Sequence, residues 1–273
     1  MGEIIMDNIT IVTYSQSPRL VEFSHALLDT AYPKLIFNTW SPAYIQDLMY
    51  VQSDWIIHID EDAFVFRSES IPEIIAFMEK NGYAACGVPD GGIIDHRPHN
   101  PVSCNPFFTI LHRKRILDRV DKRESYTSEW SPEFAFKIPN ICTKKQFSYE
   151  FDNFEPYYGF YFWLLKHGFE ILYLNAEQWK DEPEGISTIL NDHNEYPFVL
   201  HTWYSREYQK IRYSKHRIMR ILYRLITGQP GPIVAGVHFK RISRAMKASL
   251  IMKSEISCLK RGITNTLLQT IIY

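Results

Sequence analysis

Three consecutive acids, Asp60, Glu61 and Asp62, stand between two apolar runs, residues 55–59 and 63–66, with no glycine or proline between them. An acidic turn that merely solvates a strand end would carry the same tripeptide. Here apolar sequence resumes at once, so the charges are flanked by core on both sides, a costly setting for a carboxylate without a partner. In extended chain Asp60 and Asp62 point the same way and Glu61 points opposite. Two converging carboxylates repel unless a cation joins them. Oxygen ligands of this kind suit a hard divalent ion, Mg²⁺ or Mn²⁺. The spacing therefore predicts a metal site built on Asp60 and Asp62.

The elements that must position those acids are legible around them. Trp55-Ile56-Ile57-His58-Ile59 is short and almost wholly apolar, the pattern of a buried strand in a parallel sheet. Acids at its carboxyl end fall where open α/β sheets bind ligands. Residues 8–14 predict a first strand. Residues 19–31 predict a helix with Leu20, Phe23, Leu27 and Leu28 on one face, and residues 34–37 a second strand. Ser41-Pro42 marks the start of a helix carrying Tyr44, Ile45, Leu48 and Met49. Strand, helix, strand, helix, strand is a nucleotide-binding type of α/β half.

Beyond the acids, Pro72 opens another helix and residues 83–88 form a strand. Residues 90–101, rich in Gly, Pro and His, predict a long loop that is either functional or disordered. Residues 105–111 return to strand and 113–120 to helix. Residues 121–154 mix Trp130, Phe134, Phe136, Phe147 and Tyr149 with charge and proline, and read as irregular packed loop. Glu155-Pro156 opens a helix that Gly168 ends. Strands follow at 169–174 and 196–204.

With 273 residues, 45% of them hydrophobic, the chain can bury a sizeable core, which excludes a disordered polypeptide. Cys86, Cys104, Cys142 and Cys258 form no C-x-x-C pair, so zinc and redox motifs are not indicated and free thiols in a reducing compartment are expected. The first residues lack the pattern of a signal peptide, and no apolar run of about 18 residues exists. Neither G-x-G-x-x-G nor G-x-S-x-G occurs, against a dinucleotide enzyme and a serine hydrolase. The net charge of −1 hides an asymmetry. Between Arg206 and Arg261 fourteen Lys/Arg face Glu207 and Glu255, a net +12 that leaves −13 for the rest. The expected organisation is a catalytic domain over 1–208 and a basic amphipathic helical tail over 209–273.

The α/β half, the Asp-x-Asp after its buried strand and a late histidine together resemble the GT-A glycosyltransferases over roughly residues 9–208. The resemblance implies a mixed, mainly parallel sheet flanked by helices, with the basic tail as an appendage. It makes Asp62 a direct metal ligand and gives Asp60 the metal or the donor ribose. His201, in Leu200-His201-Thr202-Trp203, matches a further metal ligand. Arg206 would reach diphosphate oxygens, Thr13 and Tyr14 would meet the nucleotide base, and residues 90–101 would fold over the donor sugar as a mobile lid, with Gly91-Gly92 supplying freedom. Glu155, with Gly168 and a strand behind it, matches the place of a catalytic base. The adjacent second acid of that pattern is missing, since Pro156 and Tyr157 stand there, and Asp152 is the rival. Inverting and retaining chemistry both stay open, with inversion the working reading.

The implied activity is metal-dependent transfer of a hexosyl or N-acetylhexosaminyl group, with Mn²⁺ or Mg²⁺. The donor is a nucleotide-sugar, expected to be a UDP-sugar, and the acceptor a glycan or a lipid-linked glycan. The basic tail would rest on an anionic membrane surface, giving a cytoplasmic protein held peripherally on the cytosolic face. Nucleic acid fits poorly, because the positive charge is confined to the tail and no recognised binding motif occurs. Two alternatives stand beside this. A sugar nucleotidyltransferase would carry a glycine-rich loop after the first strand, and Tyr14-Ser15-Gln16-Ser17-Pro18 has no glycine. A non-catalytic sugar-binding or scaffold protein would keep a degenerate site.

Overall fold

The computed structural model describes residues 8–38, 44–180 and 186–205, with 217, 218, 220–222, 224 and 225. The first half runs β1 (Ile9–Tyr14), α1 (Pro18–Leu27), β2 (Lys34–Phe37), α2 (Tyr44–Asp47), β3 (Trp55–Ile59), β4 (Ala63–Val65) and α3 (Ser70–Asn81). Next come β5 (Tyr83–Pro89), β6 (Cys104–His112), α4 (Arg113–Leu117), α5 (Lys122–Thr127), α6 (Asn140–Lys145) and α7 (Tyr158–Lys166). The chain continues through β7 (Glu170–Tyr173), β8 (Ala176–Gln178), β9 (Thr188–Asn191) and β10 (Pro197–His201).

Six strands form the central sheet in the order β2-β1-β3-β6-β5-β7. β1 pairs in parallel with both β2 and β3, and β5 with β7, while β6 runs antiparallel between β3 and β5. The expectation of a mainly parallel sheet flanked by helices holds. β3 lies in the middle, and all five of its residues are buried. Its alternation splits the core in two. Trp55, Ile57 and Ile59 pack with Ile71, Ile74 and Met78 of α3, and Ile56 packs on the other face with Ile45, Ile116 and the aromatic helix α7. Tyr158 to Leu165 of α7 are all buried, as a helix apolar on every side must be.

A second, antiparallel sheet, β4-β10-β9-β8, carries the chain away from the first. The sequence patterns did not announce it: β4, β8 and β9 have three or four residues each, too few for a period-2 signal. The stretch expected to be irregular, 121–154, holds two short helices, α5 and α6, and a 3₁₀ turn at Pro132–Lys137. Cys86, Cys104 and Cys142 are free and buried. Among the described residues no helix is long and apolar enough to cross a membrane. The helix start at Ser41-Pro42, most of the basic tail and Cys258 lie outside the described residues. Of the later stretch, Ile218, Ile221 and Leu222 are buried against Leu20, Phe64 and Leu200.

One packing detail sets a pH dependence. The Nε2 atom of His25 on α1 lies 3.1 Å from the Thr13 hydroxyl. Burial, then the nearby Lys34 charge, lowers its pKa from 6.5 to about 4. The unfolded chain thus takes up a proton near pH 6.5 that the folded chain refuses until about pH 4. Stability should therefore fall as pH drops through that window, by up to roughly 3 kcal/mol. The melting temperature of His25→Gln should slope less between pH 7 and pH 5 than that of the wild type. Parallel slopes would remove His25 as the cause.

Candidate metal and donor site

The acids do not continue the strand in the extended form that their spacing suggests. The Ala63 N–H donates to the Asp60 carbonyl at 3.1 Å, closing a turn over residues 60–63. The physical reason is the change of sheet: β3 ends on the central sheet, and β4 must leave it to pair with β10. The expected outcome survives by this other route. Asp60 and Asp62 converge, and Glu61 goes the other way.

β10 delivers the histidine. It runs antiparallel to β4 with His201 opposite Ala63. The Thr202 N–H and hydroxyl then donate to the Asp62 carbonyl at 3.0 and 3.1 Å. One ligand atom each from Asp60, Asp62 and His201 lie within 4.8 Å of one another. His201 Nε2 is 3.2 Å from Asp62 Oδ1, and both side chains are at most 5% exposed. Asp60 is the more open, at 15%. His201 Nδ1 is buried without a hydrogen-bond partner among the described residues. The ring is wedged between Phe107, stacked at 4.3 Å, and Trp203, also at 4.3 Å. Two carboxylates and one imidazole, two of the three deeply buried, fit Mn²⁺ or Mg²⁺ in their chemistry. The structure thus brings together the three residues expected to bind metal.

Glu61 has a different task. Its Oε2 accepts from the Ser15 hydroxyl at 2.8 Å, the Gln16 N–H at 3.0 Å and the Ser17 N–H at 2.7 Å. Those amides precede Pro18, the first residue of α1, so the carboxylate sits where the helix dipole favours negative charge. Burial pushes the Glu61 carboxyl up, and the Ser15 and Ser17 donors pull it back only in part. Glu61 thereby ties the turn after β1 to the turn after β3. Glu61→Ala should lower unfolding free energy by about 2–4 kcal/mol, through three donors left without their acceptor. Chemical denaturation would measure it, and a loss below about 0.5 kcal/mol would make the tie incidental.

The expected nucleotide contacts divide. Tyr14 lies at the carboxyl end of β1, stacked on Phe37 at 5.3 Å and edge-on to Tyr44 at the same distance. His58 reaches the same aromatic group, 5.8 Å from Tyr14 and 5.4 Å from Tyr44. Its Nδ1–H donates to the Pro106 carbonyl at 2.7 Å, which turns Nε2 towards Asp60, 3.7 Å away. Thr13 is fully buried, and its hydroxyl meets His25 of α1. The structure does not bring Thr13 to the face that Tyr14 occupies. Arg206 lies outside the described residues.

Glu155 and Asp152 belong to a polar group that the sequence reading did not assemble. Asp90, directly after β5, is buried, and its Oδ1 accepts from Arg97 Nε at 2.7 Å and from Asn105 at 2.8 Å. Its Oδ2 accepts from the Tyr158 hydroxyl and from Arg97 Nη2. The same Nη2 donates to Glu155 Oε1 at 3.1 Å. Burial works against the Arg97 charge, but Asp90 more than offsets it and raises the guanidinium pKa. Burial first, and Asp90 second, raise the pKa of Tyr157 and Tyr158. Arg97 lies over Trp203, 5.7 Å from its ring centre, so Trp203 is the wall between this group and His201. His96 meets Trp203 edge-on at 4.9 Å, and burial, then His201, lowers its pKa. Asp152 pairs separately with His99, Nδ1 to Oδ2 at 2.9 Å.

Asp90 was within reach of sequence reasoning, since it follows a buried strand just as Asp60 does. Arg97 and Trp203 were not, because only tertiary packing joins them. The loop that carries Arg97 also corrects an expectation. Asp90 to Ile94 are buried, and a Cβ on Gly91 would stand 1.8 Å from the His99 carbonyl oxygen. The paired glycines allow close packing there rather than the freedom of a lid.

No protein-family model matches the sequence, and no curated protein does. Among solved structures, the chain is similar to the mannosyltransferase PcManGT from Pyrobaculum calidifontis, determined with GDP-Man and Mn²⁺. That alignment has 8% identity and a TM-score of 0.31, over 41% of this chain and 46% of that one. The chain thus spans about half the length of that structure. A second similarity is to A197 from STIV, at 14% identity and TM-score 0.31, over 43% and 70% of the two chains. A third is to a glycosyltransferase involved in glycosylation of the major capsid of PBCV-1, at 12% identity and TM-score 0.27, over 48% and 78%.

Proposed function

We propose that the protein is a metal-dependent glycosyltransferase of GT-A type, moving a sugar from a nucleotide-sugar, in the first instance a UDP-sugar, to a glycan or lipid-linked acceptor. The observation that carries this reading is the convergence of Asp60, Asp62 and His201 at the carboxyl end of the central strand. Asp60, Asp62 and His201 would hold Mn²⁺ or Mg²⁺, which when bound neutralises charge on a diphosphate leaving group.

The chain's own residues supply the rest. Tyr14 and Phe37 offer a stacked aromatic surface beside the acids for the nucleotide base. Trp203 stands against His201, and Arg97 lies over the Trp203 ring. Glu155 is the base: its carboxylate accepts the proton of the acceptor hydroxyl as that oxygen attacks the anomeric carbon, which inverts the configuration. The Arg97 guanidinium, shared with Asp90, orients Glu155 for this. Asp152, held by His99, is the other carboxylate in reach of the same role. A basic tail that rests on the cytosolic face of a membrane belongs to the same proposal, and it begins beyond the expected boundary at 208, since Arg217, Ile218, Ile221 and Leu222 pack on the domain.

The test is calorimetric titration of UDP, GDP and CDP, each with Mn²⁺ and again with EDTA. One diphosphate is expected to bind only with the metal. A folded protein that binds none of them would end the donor-site reading and leave Asp60 and Asp62 as an acidic turn.

A further inference from the structure

The loop that follows His201 is strained and held from outside. Trp203 and Tyr204 are consecutive non-glycine residues with φ of +20° and +61°. Such backbone persists only where the surroundings over-determine it. Part of the holding comes from Asp62. The Thr202 N–H and hydroxyl bond to its carbonyl, and the Ser205 N–H donates to its Oδ2 at 3.3 Å. The Trp203 indole N–H donates to the Thr188 hydroxyl of β9 at 2.8 Å.

The rest comes from a residue of the basic C-terminal stretch. Arg217 is buried, and its Nη1 donates to the carbonyls of Thr202 and of Trp203, the latter at 2.9 Å. Nη1 also lies 3.3 Å from the Ser205 hydroxyl, and Nη2 donates to the Ser187 hydroxyl at 2.8 Å. One planar guanidinium therefore joins both strained residues' neighbours to the start of β9. Only a fork of fixed donors reaches so many acceptors at once. The segment that carries Arg217 is itself anchored. Ile218, Ile221 and Leu222 pack on Leu20, Phe64 and Leu200. Phe64 and Leu200 are the immediate neighbours of Ala63 and His201 in β4 and β10, and by strand alternation they face the opposite side of that sheet.

We propose that Arg217 is a positioning residue for the candidate metal site: it clamps loop 202–205 so that Asp62 and His201 stand ready for the ion, and the basic stretch is thereby part of the site. This rests on the metal reading above, with the clamp itself measurable without metal. Removing a group bonded directly to a metal ligand typically changes affinity about 10–100-fold, and Arg217 acts one bond further out, through Thr202 and Ser205, so the lower end of that range is expected.

The experiment uses the full chain without donor, and reads Mn²⁺ affinity from the electron paramagnetic resonance of the free ion. Arg217→Ala should bind Mn²⁺ about 10-fold more weakly than wild type. Arg217→Lys should recover part of this, since one ammonium serves the two carbonyls but cannot also span to Ser187. Ile221→Ala, which loosens the same segment away from the clamp, should lower the melting temperature and leave Mn²⁺ affinity within about 2-fold of wild type. In metal-free protein, the Thr202 and Ser205 amides should exchange faster in Arg217→Ala and Arg217→Lys than in Ile221→Ala. Unchanged Mn²⁺ affinity in Arg217→Ala, or an equal loss in Ile221→Ala, would overturn the proposal. Amide exchange that matches wild type would overturn the clamp itself. Should Arg217→Ala not fold, Arg217→Lys carries both readouts. A wild type that binds no Mn²⁺ would bring down the metal reading, and with it the role given to Arg217.

Discussion

Asp62→Ala should lose Mn²⁺-dependent release of nucleoside diphosphate from the donor, measured with water as acceptor, by at least roughly 10³-fold. Asp62 is the best placed of the three candidate ligands. It is buried, 3.2 Å from His201 Nε2, and its own backbone is fixed by Thr202. Removing it takes away one charged oxygen and leaves Asp60 and His201 without the group that joins them. A loss of 10³-fold equals about 4 kcal/mol of transition-state stabilisation, a reasonable share of what a metal supplies to a leaving diphosphate. The carboxylate also accepts the Ser205 N–H, so the Ala variant removes a loop contact as well. Asp62→Asn separates the two effects, because its amide oxygen still accepts that N–H while the charge is gone. Equal losses in both variants assign the effect to charge. Full activity in Asp62→Asn, with Mn²⁺ still required, would place the metal elsewhere.

Glu155→Gln should lower kcat by about 10²–10⁴-fold and move KM little, if Glu155 takes the acceptor proton. The substitution is chosen for the network. A glutamine oxygen can still accept from Arg97 Nη2, so Arg97 and the buried Asp90 keep their arrangement. The comparison is Asp152→Asn, for which a loss under about 10-fold is expected on the same basis. A reversed order would move the base to Asp152, with His99 as its orienting partner. Near-wild-type kcat in both variants would remove the carboxylate base and favour retaining chemistry.

The legible and illegible parts of the site divide along sequence distance. β3 falls on the residues that the apolar patterning marked, 55–59, because a strand buried on both faces announces itself locally; β2 falls on 34–37 as well, although it is an edge strand with Leu35, Ile36 and Phe37 exposed. Asp60 and Asp62 were readable for a related reason: a charge set between two core segments needs a partner, whatever the rest of the chain does. Glu61 was assigned only a direction. That it ties down the amides of Gln16 and Ser17 follows from β1 lying beside β3, a pairing no local pattern encodes. The Gly91-Gly92 pair is ambiguous in sequence because glycine serves close contact as well as flexibility, and only the His99 backbone beside it decides which.

By itself the sequence determined an α/β chain with a central buried strand, an acid pair at its end and a strongly basic C-terminal stretch. Those properties depend on composition and on spacing within a few residues. The tertiary structure alone decided that a second sheet exists and that its register sets His201 opposite Ala63. It also decided that Arg97 bridges Asp90 and Glu155, and that Arg217 closes on the loop behind the histidine. Each of these joins short segments far apart in the chain, as when Thr202 bonds Asp62 across 140 positions. Such pairings are selected by how whole faces pack, since a three-residue strand or a single guanidinium has no periodicity of its own to reveal its partner.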